Sequence, residues 1–255
     1  MSNINRRRWA GIVLFSAFTV GAAMAQPAQP KIRRVSFYTV KADRVGDFLA
    51  ATKEFAEAAK KAGSDRHFTL WSSVTGSREY AQVRYYNNYA EMDAAQNDPK
   101  LKDVAGQMSA LTSRIMASVE SSRVEISSIE EDSSLPLTGV APQTYARVLR
   151  TWVRPEQFEN YRALIKAEIL PAAKKAGLKI YSRARVRMGG SLYEFSSVTG
   201  FDKWADLDGE SPIVKAMGGQ AAYNKFLAKQ TPMIVRSEVQ VYRFLKDQSH
   251  MPSGS

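Results

Sequence analysis

The nine residues Pro99-Lys-Leu-Lys-Asp-Val-Ala-Gly-Gln107 return 113 positions later as Pro212-Ile-Val-Lys-Ala-Met-Gly-Gly-Gln220. At the same offset Arg123-Val-Glu125-Ile126 meets Arg236-Ser-Glu238-Val239, and one position out of step Ala58-Ala-Lys-Lys-Ala-Gly63 meets Ala172-Ala-Lys-Lys-Ala-Gly177. Three matches in one order at nearly one spacing mark a tandem repeat. Two halves built on one plan have to bury equivalent apolar faces, and the simplest way is against each other.

Residue patterns inside each half supply that plan. Ile32 to Val40 is rich in β-branched and aromatic residues and reads as a strand. A helix follows from Asp43 to Gly63, with Val45, Phe48, Leu49, Phe55 and Ala59 on its apolar stripe. Arg66 to Val74 and Glu79 to Tyr86 flank the turn Thr75-Gly76-Ser77 as a hairpin. A short helix over Asn87 to Asn97, a longer one over Pro99 to Ser118 and a strand Arg123 to Ile129 complete the half. The second half repeats this with strand Tyr145 to Trp152, helix Pro155 to Lys175, strands Leu178 to Met188 and Leu192 to Val198, helices near Asp202 to Leu207 and Pro212 to Lys229, and strand Val235 to Phe244. Each half is therefore β-α-β-β-α-β, the ferredoxin-like unit. The predicted organisation is repeat 1 over 31–130, a Ser/Pro/Gly-rich linker over 131–143, repeat 2 over 144–246 and a disordered polar tail over 247–255. Gly218-Gly219 is expected to let a helix approach its sheet closely.

The N-terminus adds a targeting signal. Arg6-Arg7-Arg8, an apolar block from Trp9 to Ala23, and Ala23-Met24-Ala25 before Gln26 follow the order of a secretory signal peptide over 1–25. The apolar block is shorter than the ~20 residues a spanning helix needs. The expectation is a periplasmic or secreted protein with no membrane segment after cleavage. With no cysteine, its stability has to come from a packed core. The formal charge of +11 falls to +8 once the three leader arginines are removed, which favours anionic partners. No basic run is interleaved with stacking aromatics, so nucleic acid is not an expected partner.

In element order and repetition, Ile32 to Phe244 resembles the dimeric α+β barrel superfamily, which includes antibiotic-biosynthesis-monooxygenase-like, EthD-like and NIPSNAP-like proteins. The resemblance implies an α+β fold in which two tandem ferredoxin-like repeats form a single-chain pseudo-dimeric α+β barrel. It further implies that a cofactor-independent, monooxygenase-like activity belongs among the candidate functions, and that barrels can pair into homo-oligomers. Some such proteins bind haem through a helix histidine. The helices here carry none, so no cofactor is expected, and no residue cluster has metal-ligand spacing.

Alternation then selects candidate site residues, because one side of each barrel strand meets the helices and the other the interior. With Val124, Ile126, Val239 and Val241 given to the helices, Arg123, Glu125, Arg236, Glu238 and Gln240 point inward. Arg183, Arg185 and Arg187 share a face and are placed inside, opposite Thr69, Trp71 and Ser73, with His67 opposite Tyr181. Tyr80, Gln82 and Arg84 against Tyr193, Phe195 and Ser197 complete the predicted lining. The expected ligand-binding set is thus Arg183, Arg185, Arg187, Trp71, Tyr80, Arg123 and Arg236. An arginine cluster beside aromatic walls suits a planar organic anion. The competing interpretation makes Arg123–Glu125 and Arg236–Glu238 ion-paired ladders and leaves the three arginines in water at a barrel mouth. His67 is the one weak candidate for a base, its intrinsic pKa near 6.5 being the argument for it. Three functions stay open: an exported small-molecule binder, a monooxygenase-like enzyme, and an envelope scaffold without a ligand.

Overall fold

The computed structural model describes residues 29–252, so the leader expected over 1–25 lies outside the described residues. Strands form on the β-branched and aromatic runs: β1 (Ile32–Val40), β2 (Phe68–Ser73), β3 (Tyr80–Tyr86) and β4 (Val119–Ile129), then β5 (Tyr145–Val153), β6 (Tyr181–Met188), β7 (Glu194–Phe201) and β8 (Ile234–His250). They close into one barrel in the order β1-β3-β2-β8-β5-β7-β6-β4. Every pairing is antiparallel. The halves contribute β4-β1-β3-β2 and β8-β5-β7-β6, and they join where β2 meets β8 and β4 meets β6. Closure gives strands at the ends of each half-sheet a partner they would otherwise lack.

The helices lie outside. Helix α1 (Val45–Lys61) buries Phe48, Ala51, Ala56 and Ala59 on the stripe that its period dictates. Phe48 packs with Val40, Leu70 and Tyr80. Helices α2 (Tyr89–Gln96) and α3 (Ala105–Ala117) follow, and Pro99 opens a 3-10 turn to Val104 rather than α-helix. In the second half α4 (Phe158–Leu164) runs through a π turn at Ile165–Ile169 into α5 (Leu170–Lys175). That turn accounts for the one-residue slip in the sequence match between Ala58–Gly63 and Ala172–Gly177. Buried Val40 and Phe48 correspond to buried Val153 and Tyr161 at 113 positions, but Ala59 corresponds to Ala173 at 114. A π turn takes up one extra residue without moving either end of the helix off its sheet. Phe158, Tyr161, Ile165, Phe195 and Phe226 of α7 (Gln220–Gln230) form the second helix–sheet core. Among the described residues no helix is long and apolar enough to cross a membrane.

Two expectations need correction. The chain from Lys246 is not a tail up to His250, because β8 continues there past a bulge: Leu70 faces Leu245 and Phe68 faces His250. The Ser249 hydroxyl holds the bulge, donating to the Leu245 carbonyl at 2.7 Å and accepting from the Leu70 amide at 2.9 Å. Nor do Gly218-Gly219 serve a close helix–sheet approach. A Cβ on Gly219 would meet only Glu210 Oε1, at 3.6 Å. Their backbone explains them instead, with φ of +102° at the end of α6 (Pro212–Met217) and +92° before α7. Close approach occurs at Gly189 in the β6–β7 turn, where a Cβ would sit 1.9 Å from the Val124 carbonyl oxygen.

Candidate functional site: a cavity inside the barrel

Register decides which side chains enter the barrel. Arg33, Val35 and Phe37 of β1, Thr69 and Trp71 of β2, Ala81, Val83 and Tyr85 of β3, and Ala146, Val148 and Arg150 of β5 line a cavity of about 640 Å³. Glu125, Ser182, Ser196, Val198, Gly200 and Tyr242 are also in its wall. The middle of the wall is apolar, since Val35, Phe37, Ala81 and Tyr242 form one packed cluster with Trp71, Val83 and Val148. At the mouth stand His67 and His250, their rings 4.9 Å apart. Linker residues Leu137 to Val140 and the C-terminal Met251 and Pro252 also line it. The Gln29 side chain secures the linker by accepting from the Leu137 amide at 2.7 Å.

The floor is ionic and self-paired. Arg150 donates through Nε to Glu194 at 2.6 Å and through Nη2 to Glu125 at 2.7 Å. Arg123 donates to Glu79 at 2.7 Å, and the Tyr242 hydroxyl donates to the other oxygen of Glu79 at 2.5 Å. Burial holds the Glu194 carboxyl above the usual carboxylate range, with Arg150 acting against it. Burial and the Glu79 carboxylate push the Tyr242 phenol well up. Arg33 differs from these arginines. It is 6 % exposed, its Nη2 donates to the Ser196 hydroxyl, and its buried Nε has no hydrogen-bond partner among the described residues. Burial lowers its pKa, with the nearby Glu125 and Glu194 only partly compensating. A cation held this way can gain from an incoming acceptor.

Of the expected residues, Trp71 and His67 line the cavity, as do Thr69, Arg84 and Glu125 of the predicted lining. Burial, then the neighbouring His250 ring, lower the His67 pKa. Arg183, Arg185 and Arg187 do share a face, but it is the helix-facing one. Arg183 is 0 % exposed between Phe195 and Tyr161, its guanidinium carbon 4.0 and 4.9 Å from their ring centres. Arg185 lies over Phe158 at 4.3 Å, and Arg187 is exposed. Tyr80 also faces the helices, 4.8 Å from the Phe48 ring. Arg123 sits below the cavity, stacked on Phe37 at 3.8 Å. Arg236 is an exposed residue over Trp152 at 3.9 Å, 3.6 Å from Glu238. The slip on β3, β6 and β7 comes from treating a helix-facing surface as closed to charge. Aromatic rings on α4 and β7 give the guanidiniums π faces there. Sequence reasoning missed Arg33, Arg150, Tyr85 and His250. Arg33 carried a signal, as a cation in step with Val35 and Phe37 on an apolar strand face. His250 carried none once its segment was read as tail. Among the described residues no group of three or more His, Cys, Asp or Glu could hold a metal ion.

No protein-family model matches the sequence, and no curated protein matches it. Solved structures do match the fold. A proposed monooxygenase from Lactobacillus acidophilus NCFM superposes with TM-score 0.58 at 11 % identity, covering 85 % of this chain and 94 % of its own. A proposed monooxygenase from Fusobacterium nucleatum subsp. nucleatum gives TM-score 0.59 at 13 % identity over 85 % of this chain and 93 % of its own. An anthrone oxidase-like protein gives 0.55 at 10 % identity over 85 % and 92 %. Identities this low carry fold and nothing further. The closed eight-stranded barrel, its outer helices and these superpositions together give this chain the fold of the dimeric α+β barrel superfamily.

Proposed function

We propose that the chain binds a small, largely apolar organic molecule inside its barrel, with an anionic or carbonyl oxygen of that molecule received by Arg33. The observation that carries this is the cavity of about 640 Å³, apolar through its middle, with a buried guanidinium in its wall whose Nε has no partner among the described residues. That volume falls in the range of small-molecule sites, which pair apolar walls with a few polar groups. The paired floor arginines have their carboxylates, which leaves Arg33 as the recognition group. A scaffold role without a ligand calls for a filled interior, and the cavity speaks against it. The test is thermal shift and native mass spectrometry with two- and three-ring aromatic carboxylates and their neutral analogues. The expected result is a raised melting temperature and a one-to-one complex with the anions. No shift and no complex across anionic and neutral classes would overturn the proposal.

A second reading, a monooxygenase-like enzyme, is favoured by the two histidines at the mouth and by the names that the superposed structures carry. Oxygen uptake with any ligand found above would test it, with binding but no uptake as the refuting result. We also propose that the barrel is a tandem pseudo-dimer of two ferredoxin-like repeats and that the chain is exported. The sequence offset and the half-sheet orders support the first, and the segment from Arg6 to Ala25 supports the second. N-terminal sequencing of periplasmic protein should begin at Gln26, and an intact Met1 would refute export by cleavage.

A further inference from the structure

Three arginines of the first half-sheet share a neighbourhood that no carboxylate claims. The register of β1 and β3 sets Arg34 directly opposite Arg84. Both alternate with cavity-lining residues, Arg33 and Val35 on β1 and Val83 and Tyr85 on β3, so their side chains leave from the face that turns toward the helices. Arg84 borders the cavity beside Phe68, its guanidinium carbon 5.5 Å from that ring's centre. Arg66 stands two residues ahead of Phe68, where β2 begins. Burial, then the charge of Arg84 and, less, that of Arg34, lower the Arg66 pKa against the pull of Tyr86 and Asp98.

All three arginines are half-buried. Among the described residues none of their guanidiniums makes a hydrogen bond or ion pair. The acid beside them is already engaged, because Asp98 accepts from the Ser64 hydroxyl at 2.6 Å and from the Lys100 amide at 3.0 Å. Ser64 also accepts from the Arg66 amide at 3.1 Å, which fixes the backbone that carries the third arginine. Like charges directly opposite on neighbouring strands weaken a sheet, and buried cations are normally paired. The fold does not demand the arrangement: 113 positions after Arg34, Arg147 of β5 faces Thr199.

We propose that Arg34, Arg66 and Arg84 form a site for a tetrahedral dianion, a phosphate or phosphate monoester group, beside the cavity rather than in it. Guanidinium forks match the paired oxygens of such a group, and three forks around it offset the repulsion between Arg34 and Arg84. The site stands whether or not the cavity holds a ligand. Free phosphate, a soluble ester and an anionic lipid headgroup all present this group, so the test separates them.

Inorganic phosphate and glycerol 3-phosphate are titrated into the protein by calorimetry, with sodium chloride at equal ionic strength as the reference. Flotation is measured with phosphatidylcholine vesicles with and without phosphatidic acid. The expected result is saturable binding in at least one arm, one group per chain, and a raised melting temperature that chloride does not reproduce. Equal affinity for phosphate and ester assigns the free anion, tighter binding of the ester a soluble monoester, and flotation with phosphatidic acid alone a headgroup. Arg34→Gln and Arg84→Gln should each weaken binding at least about tenfold, and Arg147→Gln should leave it unchanged. Without phosphate, Arg34→Gln should melt no lower than the parent, since it removes one of two opposed charges, so its lost binding is not lost folding. No binding beyond that of chloride in any arm, or binding that survives both substitutions, would overturn the proposal.

Discussion

Arg33→Met separates the cost of a recognition group from its use. Methionine keeps an unbranched stem among Val35, Val83 and the other wall residues while removing the guanidinium. In the free protein the change loses one hydrogen bond, from Nη2 to Ser196, worth about 1 kcal/mol net. It also removes a buried cation whose lowered pKa shows that its surroundings disfavour the charge, and relief of such desolvation is worth a few kcal/mol before the attraction of Glu125 and Glu194 is subtracted. Those carboxylates keep Arg150 and Arg123 as partners, so neither is stranded. The balance is a variant as stable as the parent or more stable by about 2 kcal/mol, a rise of up to about 8 °C for a domain of this size. Binding should move the other way. Loss of a charge-assisted hydrogen bond of about 1.5–3 kcal/mol weakens an anionic ligand by roughly 10- to 150-fold and leaves its neutral analogue unaffected. Scanning calorimetry and titration calorimetry on the same preparations read both effects. A fall in stability beyond about 2 kcal/mol, or unchanged anion affinity, would refute the assignment of Arg33 as a group held ready for a ligand.

Other substitutions test the surroundings of the site. Arg183→Met should be neutral or stabilising by about 1–3 kcal/mol, because all three guanidinium nitrogens lack a hydrogen-bond partner among the described residues and two ring faces return only part of the burial cost; a loss above about 1 kcal/mol in urea unfolding would count against that. Gly189→Ala should destabilise by about 2–4 kcal/mol, since φ is +81° and the Val124 carbonyl occupies the Cβ position. An alanine at Gly63, at φ +66° with open space around it, should cost only about 1–2 kcal/mol. His67 has a depressed pKa, so the unfolded chain binds the extra proton. The stability from its neutral form is present above pH 6.5 and declines as pH falls from there toward the folded value, by at most about 1.4 kcal/mol per pH unit. Thermal midpoints between pH 7.5 and 5.5 should therefore fall less in His67→Gln than in the parent, and parallel curves would remove His67 as the source.

Element order was legible because it rests on periodicity summed over many residues, and the offset between Pro99–Gln107 and Pro212–Gln220 doubled the signal. Side-chain direction was less legible because it rests on one binary choice per strand. On β2 the choice followed Trp71 and holds. On β6 it followed the charge of Arg183 and fails, because Phe195 and Tyr161 turn a buried face into one that accepts a guanidinium. That error passes to β7, whose Ser196 and Val198 enter the cavity in place of Phe195 and Ser197. His250 was hidden for a different reason. Its strand is held past the bulge by the Ser249 hydroxyl rather than by a continuous apolar alternation, and no periodicity detects a side chain standing in for a ladder bond.

The proposed tandem organisation also bears on why the cavity is lopsided. At the 113-residue offset, Arg33 corresponds to Ala146, Phe37 to Arg150 and Trp71 to Ala184, while His67 corresponds to Ile180. A barrel assembled from two identical chains must present each recognition group twice, related by the two-fold axis, so an elongated ligand with unlike ends meets the same groups on both walls. The single-chain pseudo-dimer proposed above is free of that constraint. One wall can keep Arg33 and Trp71 while the facing one supplies Ala146 and Val148 as apolar contact. Ala146→Arg restores the duplicate. It should place a second cation in the wall without a dedicated carboxylate and lower stability by a few kcal/mol. Undiminished stability in urea unfolding would show that the wall accepts a cation on either half and that its asymmetry is not imposed by the cost of burying a second one.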